Sequence, residues 1–390
     1  MTDVADHLAI VPAKRDLDWL KSALQAAIAL EHATMPPYIA ATYSLKVQNY
    51  TAYNLLRGIV MEEMVHMASV CNILAALGGT PQIRNLDPPY PAQGLPGNAE
   101  PDLHVCLAQL SKRQLENFMR LESPLSLLPD EVRSEAYPSV ASLYGAIRDA
   151  LIHNAPAVGA AVKAGGKSNQ VGDNIGFSTI VPSDDADCLD QMLAALKAIT
   201  SQGEGCPHHG LHAGGASEGE ESHYARFAQL YYGRQLQRPA ADTELTRDNV
   251  EDFFRGYAIP FPEVVNTLAV PRDGYENLLA ADPDHAAVEK DLAGFDQAYT
   301  DMLAGLEAVW NGDPTRWWPT LGQAVATMAK LRVLGCFNVM KHQVPAASIN
   351  GLKALYPGEF ASLAAYTRFD QPVFYGPRFR NLNAKPVQNS

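Results

Sequence analysis

The chain has 390 residues with a formal net charge of −13, and it is 47% hydrophobic and 19% charged. That length allows one large domain or two of ordinary size with a substantial core. The acidic balance argues against non-specific binding to nucleic acid or to an anionic membrane.

The first stretch shows neither a signal-peptide core nor, by inspection of the whole chain, an apolar run long enough to span a bilayer, so the expected location is the cytoplasm. Five scattered cysteines form no CxxC pair and no disulfide framework.

Residues 16–34 predict a helix, with Leu17, Leu20, Leu24, Ala27 and Ile28 on one stripe that Glu31 continues. Pro36-Pro37 should disturb the backbone before Ile39 to Leu45 carry the helix on. Residues 51–77 predict a second helix whose stripe holds Leu56, Ile59, Val60, Met67, Val70, Ile73 and Leu74, with Glu63 and His66 inside it and Gly78-Gly79 as a stop. Residues 80–111 are Pro-rich and read as irregular. Short helices follow near 112–122 and 139–154, then a loop over 155–183 with an extended piece at Phe177 to Val181. Helices are expected at 186–202 and 218–235, separated by a Gly/His loop, and two amphipathic helices at 289–310 and 319–341. The tail from about 370 has little periodicity. The expected fold class is all-α, a four-helix bundle over 1–245 with an insertion at 80–183, and a C-terminal helical extension over 246–390 packed on it.

The chemistry concentrates in two Glu-x-x-His steps, Glu63 to His66 and Glu220 to His223. On a helix, residues three apart share a face, so a carboxylate and an imidazole so spaced can bind one ion. Two such steps, each with a partner Glu from another helix, form the ligand pattern of ferritin-like di-iron and di-manganese bundles. Glu31 and Glu204 supply the partners, with Glu122 as the rival of Glu204. If the first two helices turn back near 46–50, Glu31 and Glu63 both lie about 20 Å from the turn at roughly 1.5 Å per residue. A carboxylate on an apolar stripe costs several kcal/mol, in order of magnitude roughly 2–7, unless it is paired or metal-bound. Oxygen and imidazole donors suit iron, with manganese as the alternative.

Ordinary readings compete at several positions. Ser217 and Glu220 fit a capping box, which would make Glu220 a helix cap rather than a ligand. Glu62 is expected outside the ligand shell, and His32 to point elsewhere. Cys206-Pro207-His208-His209 with His212 matches no common structural zinc spacing. Tyr38 and Tyr224, beside the ligand segments, are expected to be packing residues, with hydrogen-bond donation as the functional alternative.

Leu30-Glu31-His32-Ala33-Thr34-Met35-Pro36-Pro37-Tyr38 and Glu62-Glu63-Met64-Val65-His66-Met67, together with Gln202-Gly203-Glu204-Gly205 and Glu221-Ser222-His223-Tyr224-Ala225-Arg226-Phe227, resemble the ferritin-like domain of the iminophenyl-pyruvate dimer synthases. These include the enzymes that couple indole-3-pyruvate imines in the violacein, rebeccamycin and staurosporine pathways. The resemblance runs from about 16 to 235, with a weaker echo to Gly376-Pro377. It implies a ferritin-like bundle with a metal site at Glu31, Glu63, His66, Glu204, Glu220 and His223.

The function expected is that of a di-metal oxidoreductase with two iron ions, acting with O2 or peroxide on a small organic molecule such as an amino-acid-derived imino or keto acid. The alternatives are iron storage and a metal-free scaffold bundle. No G-x-G-x-x-G fingerprint is present, so electrons are expected from a separate donor or from the substrate. No nucleic-acid or membrane partner is expected, and a homo-oligomer is left open.

Overall fold

A computed structural model defines residues 3–46, 50–133, 137–165, 170–172, 177–181, 185–203, 211, 221–237, 239 and 243–384. After a short α1 (Val4–Ala9), the bundle begins with α2 (Leu17–Tyr43) and α3 (Tyr50–Ala76), which pack along each other as a hairpin. Asp16 caps α2 by accepting the Trp19 N–H at 3.0 Å. From Leu24 to Tyr38 nearly every side chain of α2 is buried, the mark of a helix surrounded by others. These others are α4 (Lys112–Leu121), α5 (Val140–His153), α7 (Asp185–Gln202) and α8 (His223–Tyr232). α5 packs on α2 and α7, α3 packs on α7 and α8, and α4 packs on α8.

Pro36 and Pro37 lie inside α2, which continues through them to Tyr43. Pro37 has no N–H for the carbonyl of Ala33, four residues back. The Tyr90 hydroxyl donates to that carbonyl instead, at 2.7 Å, so a side chain from the Pro-rich segment repairs the helix. The same segment holds an antiparallel hairpin, β1 (Ala92–Leu95) and β2 (Ala99–Val105), with Ala92 opposite Val105 and Leu95 opposite Ala99. Gly94 adopts φ 78°, and a Cβ there would meet the Ala99 carbonyl at 2.8 Å.

The structure departs from the sequence reading elsewhere. Ala155–Gly165 forms a helix, α6, where a loop is expected; it buries only Val158, Gly159 and Val162, too short a stripe to stand out. α8 starts at His223, not 218. Ser222 is its N-cap, accepting from the Ala225 N–H at 3.2 Å, and Gly233 ends it at φ 71°.

In the C-terminal region, a short α9 (Glu276–Ala280) precedes the paired α10 (His285–Asn311) and α11 (Trp317–Val333), a π-helical turn at Leu334–Val339, then α12 (Ala346–Leu355) and α13 (Pro357–Ala364). α10 meets the bundle through polar side chains. Trp310 Nε1 donates to Asn72 Oδ1 at 2.8 Å, and Glu307 accepts the Ile83 and Arg84 N–H groups, each at 2.9 Å.

Contrary to the sequence reading, one helix, α3, is long and apolar enough to cross a membrane by length and composition. It is a core helix, with 78% of its apolar window buried inside the molecule.

Candidate metal centre

Helical spacing brings the site together. α2 supplies Glu31 and, three residues on, Thr34. α3 supplies Glu63 and His66 on one face, with Glu62 to one side. His223 is the first residue of α8, and Glu122 follows α4 as its C-cap. Glu31, Glu63, His66, Glu122 and His223 are all buried. Donor atoms of Glu31, Glu63 and His66 lie within 4.8 Å of one another, as do those of Glu63, Glu122 and His223. Glu63 belongs to both groups.

The two imidazoles stack, with centroids 5.5 Å apart and planes 27° from parallel. Each is oriented through Nε2. His66 Nε2 pairs with Gln202 Oε1 at 2.7 Å, and His223 Nε2 with Glu62 Oε2 at 2.9 Å. With Nε2–H donating, Nδ1 is the atom turned to the carboxylates. His66 Nδ1 lies 3.7 Å from Glu31 Oε2 and 3.8 Å from Glu63 Oε1. His223 Nδ1 lies 2.9 Å from Glu63 Oε1 and 3.4 Å from Glu122 Oε2. The carboxylates are themselves held. Tyr144 donates to Glu31 Oε1, Tyr38 to Glu122 Oε1 at 2.6 Å, and the Thr34 hydroxyl sits 2.9 Å from Glu63 Oε2 and 2.8 Å from the Glu31 carbonyl.

Electrostatics divide the carboxylates. Burial, reinforced by the Glu63 charge, pushes Glu31 well above the usual carboxylate range. Burial also raises Glu122, against the pull of His223. Burial works against the Glu63 charge too, but His223, His66 and Thr34 outweigh it and hold Glu63 below its ordinary value. His223 is opposed by burial yet raised well above its ordinary value by Glu122, Glu62 and Glu63, whereas burial lowers His66. Crowded and buried together, these carboxyls resist ionising side by side, and the raised His223 is the cation that offsets them.

The donor set fits a metal ion. It contains oxygen and imidazole donors with no thiolate. Among the described residues, two buried atoms facing its interior, Glu122 Oε2 and His223 Nδ1, lack a well-directed hydrogen bond. The Glu–His hydrogen bond behind His223 matches the outer-shell support that orients metal-ligating imidazoles.

Of the residues expected from sequence, the structure brings together Glu31, Glu63, His66 and His223, with Glu122, the rival of Glu204, beside them. Glu204 and Glu220 lie outside the described residues, as do Ser217 and the Cys206–His212 segment. Gly203 borders the cluster, and a Cβ there would lie 2.8 Å from Glu122 Oε2. Glu62 takes the outer position expected of it. His32 faces α10, 2.7 Å from the Tyr299 hydroxyl, with burial lowering it to about 4. Tyr224 is buried in the core, while Tyr38 makes the hydrogen bond to Glu122. Tyr144 escapes sequence reasoning, because a tyrosine on an apolar helix stripe looks like core.

Residues 24–232 match the family described as Ferritin-like. This is more than half of the chain, and the protein belongs to the Ferritin-like family. Its structure is similar to the crystal structure of a ferritin-like protein from Caulobacter vibrioides, with a TM-score of 0.52 and 20% identity over 82% of this chain and 94% of that chain. At that identity the likeness speaks for the fold alone. Among curated proteins, none matches the chain.

Proposed function

We propose that the cluster holds two metal ions, iron foremost and manganese as the alternative, and that the protein is an oxidoreductase acting with O2 or peroxide on a small organic substrate. The observation that carries this reading is the shared carboxylate: two three-residue donor groups meet at Glu63, so one carboxylate could serve two neighbouring ions in a helical bundle of the kind that holds dinuclear sites. Iron bound there would supply one-electron redox chemistry and O2 activation.

The chain's own residues have definable tasks. Glu31 and His66 would hold one ion, Glu122 and His223 the other, and Glu63 both. Gln202 and Glu62 fix the two rings so that Nδ1 faces inward. Tyr38 holds its hydroxyl oxygen 2.6 Å from Glu122 Oε1 and donates its proton to that carboxylate. Close helix packing excludes bulk water from this buried cluster, strengthening every charge interaction within it. Glu204 and Glu220, next to Gly203 and Glu221 in the chain, are kept as further ligands. A separate electron donor is part of the reading. The finer assignment, coupling of amino-acid-derived imines, rests on the motif resemblance.

The test is elemental analysis of protein purified without chelator, for wild type and for His66→Ala combined with His223→Ala. Two ions per chain in the wild type, lost in a variant that keeps its helical circular dichroism, is the expected result. No metal in the wild type even after anaerobic Fe(II) loading would overturn the reading.

A further inference from the structure

α11 buries Leu321, Ala324 and Leu331 and packs on α10, where a Cβ at Gly305 would meet Ala324 at 3.6 Å. Its opposite side is apolar as well. Trp318, Gly322, Val325, Ala329 and Val333 recur three or four positions apart and so share one face. All five are exposed. Trp318 is 58% exposed, Val325 51%, Val333 53%, and Phe337, about one turn further on in the π-helical turn, 66%. Ala326 borders the same face, and no charged residue interrupts it. A surface helix with nothing to meet carries polar residues on its outer side.

The size of the face is that of an interaction surface. Two aromatic side chains so exposed present on the order of 250 Å² between them. With the valines and alanines the patch falls in the range of roughly 300–600 Å² where apolar patches are often functional. Its shape selects the occupant. Bulk sits at the ends, in Trp318 and Val333, and the middle is small, with Gly322, Ala326 and Ala329. Small residues offer little area to lipid but let a second helix approach closely. The net charge of −13 also disfavours an anionic membrane.

The face is complementary to itself. Its midpoint falls between Val325 and Ala326, and a two-fold axis there sets Trp318 across from Val333 and Gly322 across from Ala329. Antiparallel pairing also opposes the two helix dipoles. The neighbouring cations, Lys330 and Arg332, would lie at least about 13 Å from their own mates along the helix at roughly 1.5 Å per residue, beyond a screening length of about 8 Å. Like charges therefore do not oppose the pairing.

We propose that α11 is a homodimer interface, on which a second copy of this chain packs antiparallel with Val325 and Ala326 at the two-fold axis. Two such faces bury less than the roughly 1,600 Å² of a standard interface, so the dissociation constant is expected to be on the order of 10 μM. Neither α10 nor α11 carries a residue of the metal centre, so the His66→Ala, His223→Ala protein should dimerise as the wild type does.

The experiment is sedimentation velocity of the whole chain from about 1 to about 200 μM, a range that spans the expected constant. A reversible dimer is the expected result. Val325→Glu, at an exposed position, should keep its helical circular dichroism and weaken the dimer about tenfold or more, because it buries two unpaired carboxylates at the axis. Gln323→Glu, exposed on the same helix outside the stripe, should dimerise like wild type. On mild oxidation Ala326→Cys should cross-link to its mate, and Gln323→Cys should not. A wild type that stays monomeric, or equal dimerisation by Val325→Glu, would overturn the interface. Equal losses in Val325→Glu and Gln323→Glu would do the same. A dimer in which Ala326→Cys fails to cross-link would overturn the two-fold arrangement. Flotation of a monomeric wild type with phosphatidylserine-containing vesicles, abolished by Val325→Glu, would assign the face to lipid and overturn the dimer.

Discussion

The His223 ring is fixed from outside the cluster. Glu62 Oε2 takes Nε2–H at 2.9 Å, while Arg226 Nη1 holds Glu62 Oε1 at 2.8 Å. Burial acts against the Glu62 charge, but His223 and Arg226 prevail and keep it ionised. Glu62→Ala should therefore lower metal affinity about 10- to 100-fold, as loss of an outer-shell partner does, with the ligands themselves untouched. Chelator competition on wild type and variant measures this; equal affinities would show that Glu62 has no orienting role. At this scale the legible residues were those whose chemistry conflicts with their place. Glu31, Glu63 and His66 are ionisable groups on apolar stripes, and that conflict is visible in a one-dimensional pattern. Glu122 was visible only as a rival, because it sits just past a short helix, where a carboxylate looks like any other helix end.

Among the elements, α2 carries the clearest local conflict. Two prolines sit inside it, and the carbonyl that one of them abandons is satisfied by Tyr90. Tyr90→Phe should leave that buried carbonyl unpaired and destabilise the protein by about 1–3 kcal/mol. Urea denaturation would read the change, and an unaltered midpoint would mean that water or another donor replaces the hydroxyl. Sequence periodicity found the long helices because they bury continuous stripes. It missed α6, α12 and α13, which bury three, two and one residue respectively. It also missed the hairpin, whose short strands lie in a Pro-rich stretch. The Glu-x-x-His spacing predicts a helix from about 218, whereas Ser222 caps α8 and the helix begins at His223.

Across the whole molecule, the tail returns to α10 at a buried ion pair. Arg378 Nε donates to Asp296 Oδ2 at 2.6 Å, the Arg380 N–H reaches Asp296 Oδ1 at 3.3 Å, and Arg378 also pairs with Glu289 at 3.1 Å. The sequence gives no sign of this, because the tail lacks periodicity and its partners lie about 80 positions away. Burial raises Asp296 to about 6 despite Arg378. An acid whose folded value exceeds its unfolded one contributes most below the unfolded value, near 3.9, and that contribution is lost as pH rises through about 6. Relative to Asp296→Asn, the wild type should therefore lose up to about 3 kcal/mol of stability between pH 4 and pH 7. Urea titrations of both proteins across that range test it, and parallel profiles would show that the buried charge carries no penalty.

The repaired turn of α2 also orders the events of assembly. Pro36 and Pro37 make the stretch after Glu31 a poor helix in isolation, since an interior proline costs about 3 kcal/mol. The hydroxyl that mends it comes from 57 positions downstream. A long loop must close before this local turn is secure, reversing the usual sequence in which helices form first and dock later. Thr34 and Tyr38 lie on that turn, so the side chains that brace Glu63 and Glu122 reach their places only once residues 80–111 have arrived. The ligand cluster is therefore expected to be completed only with the tertiary contact that brings Tyr90 to α2.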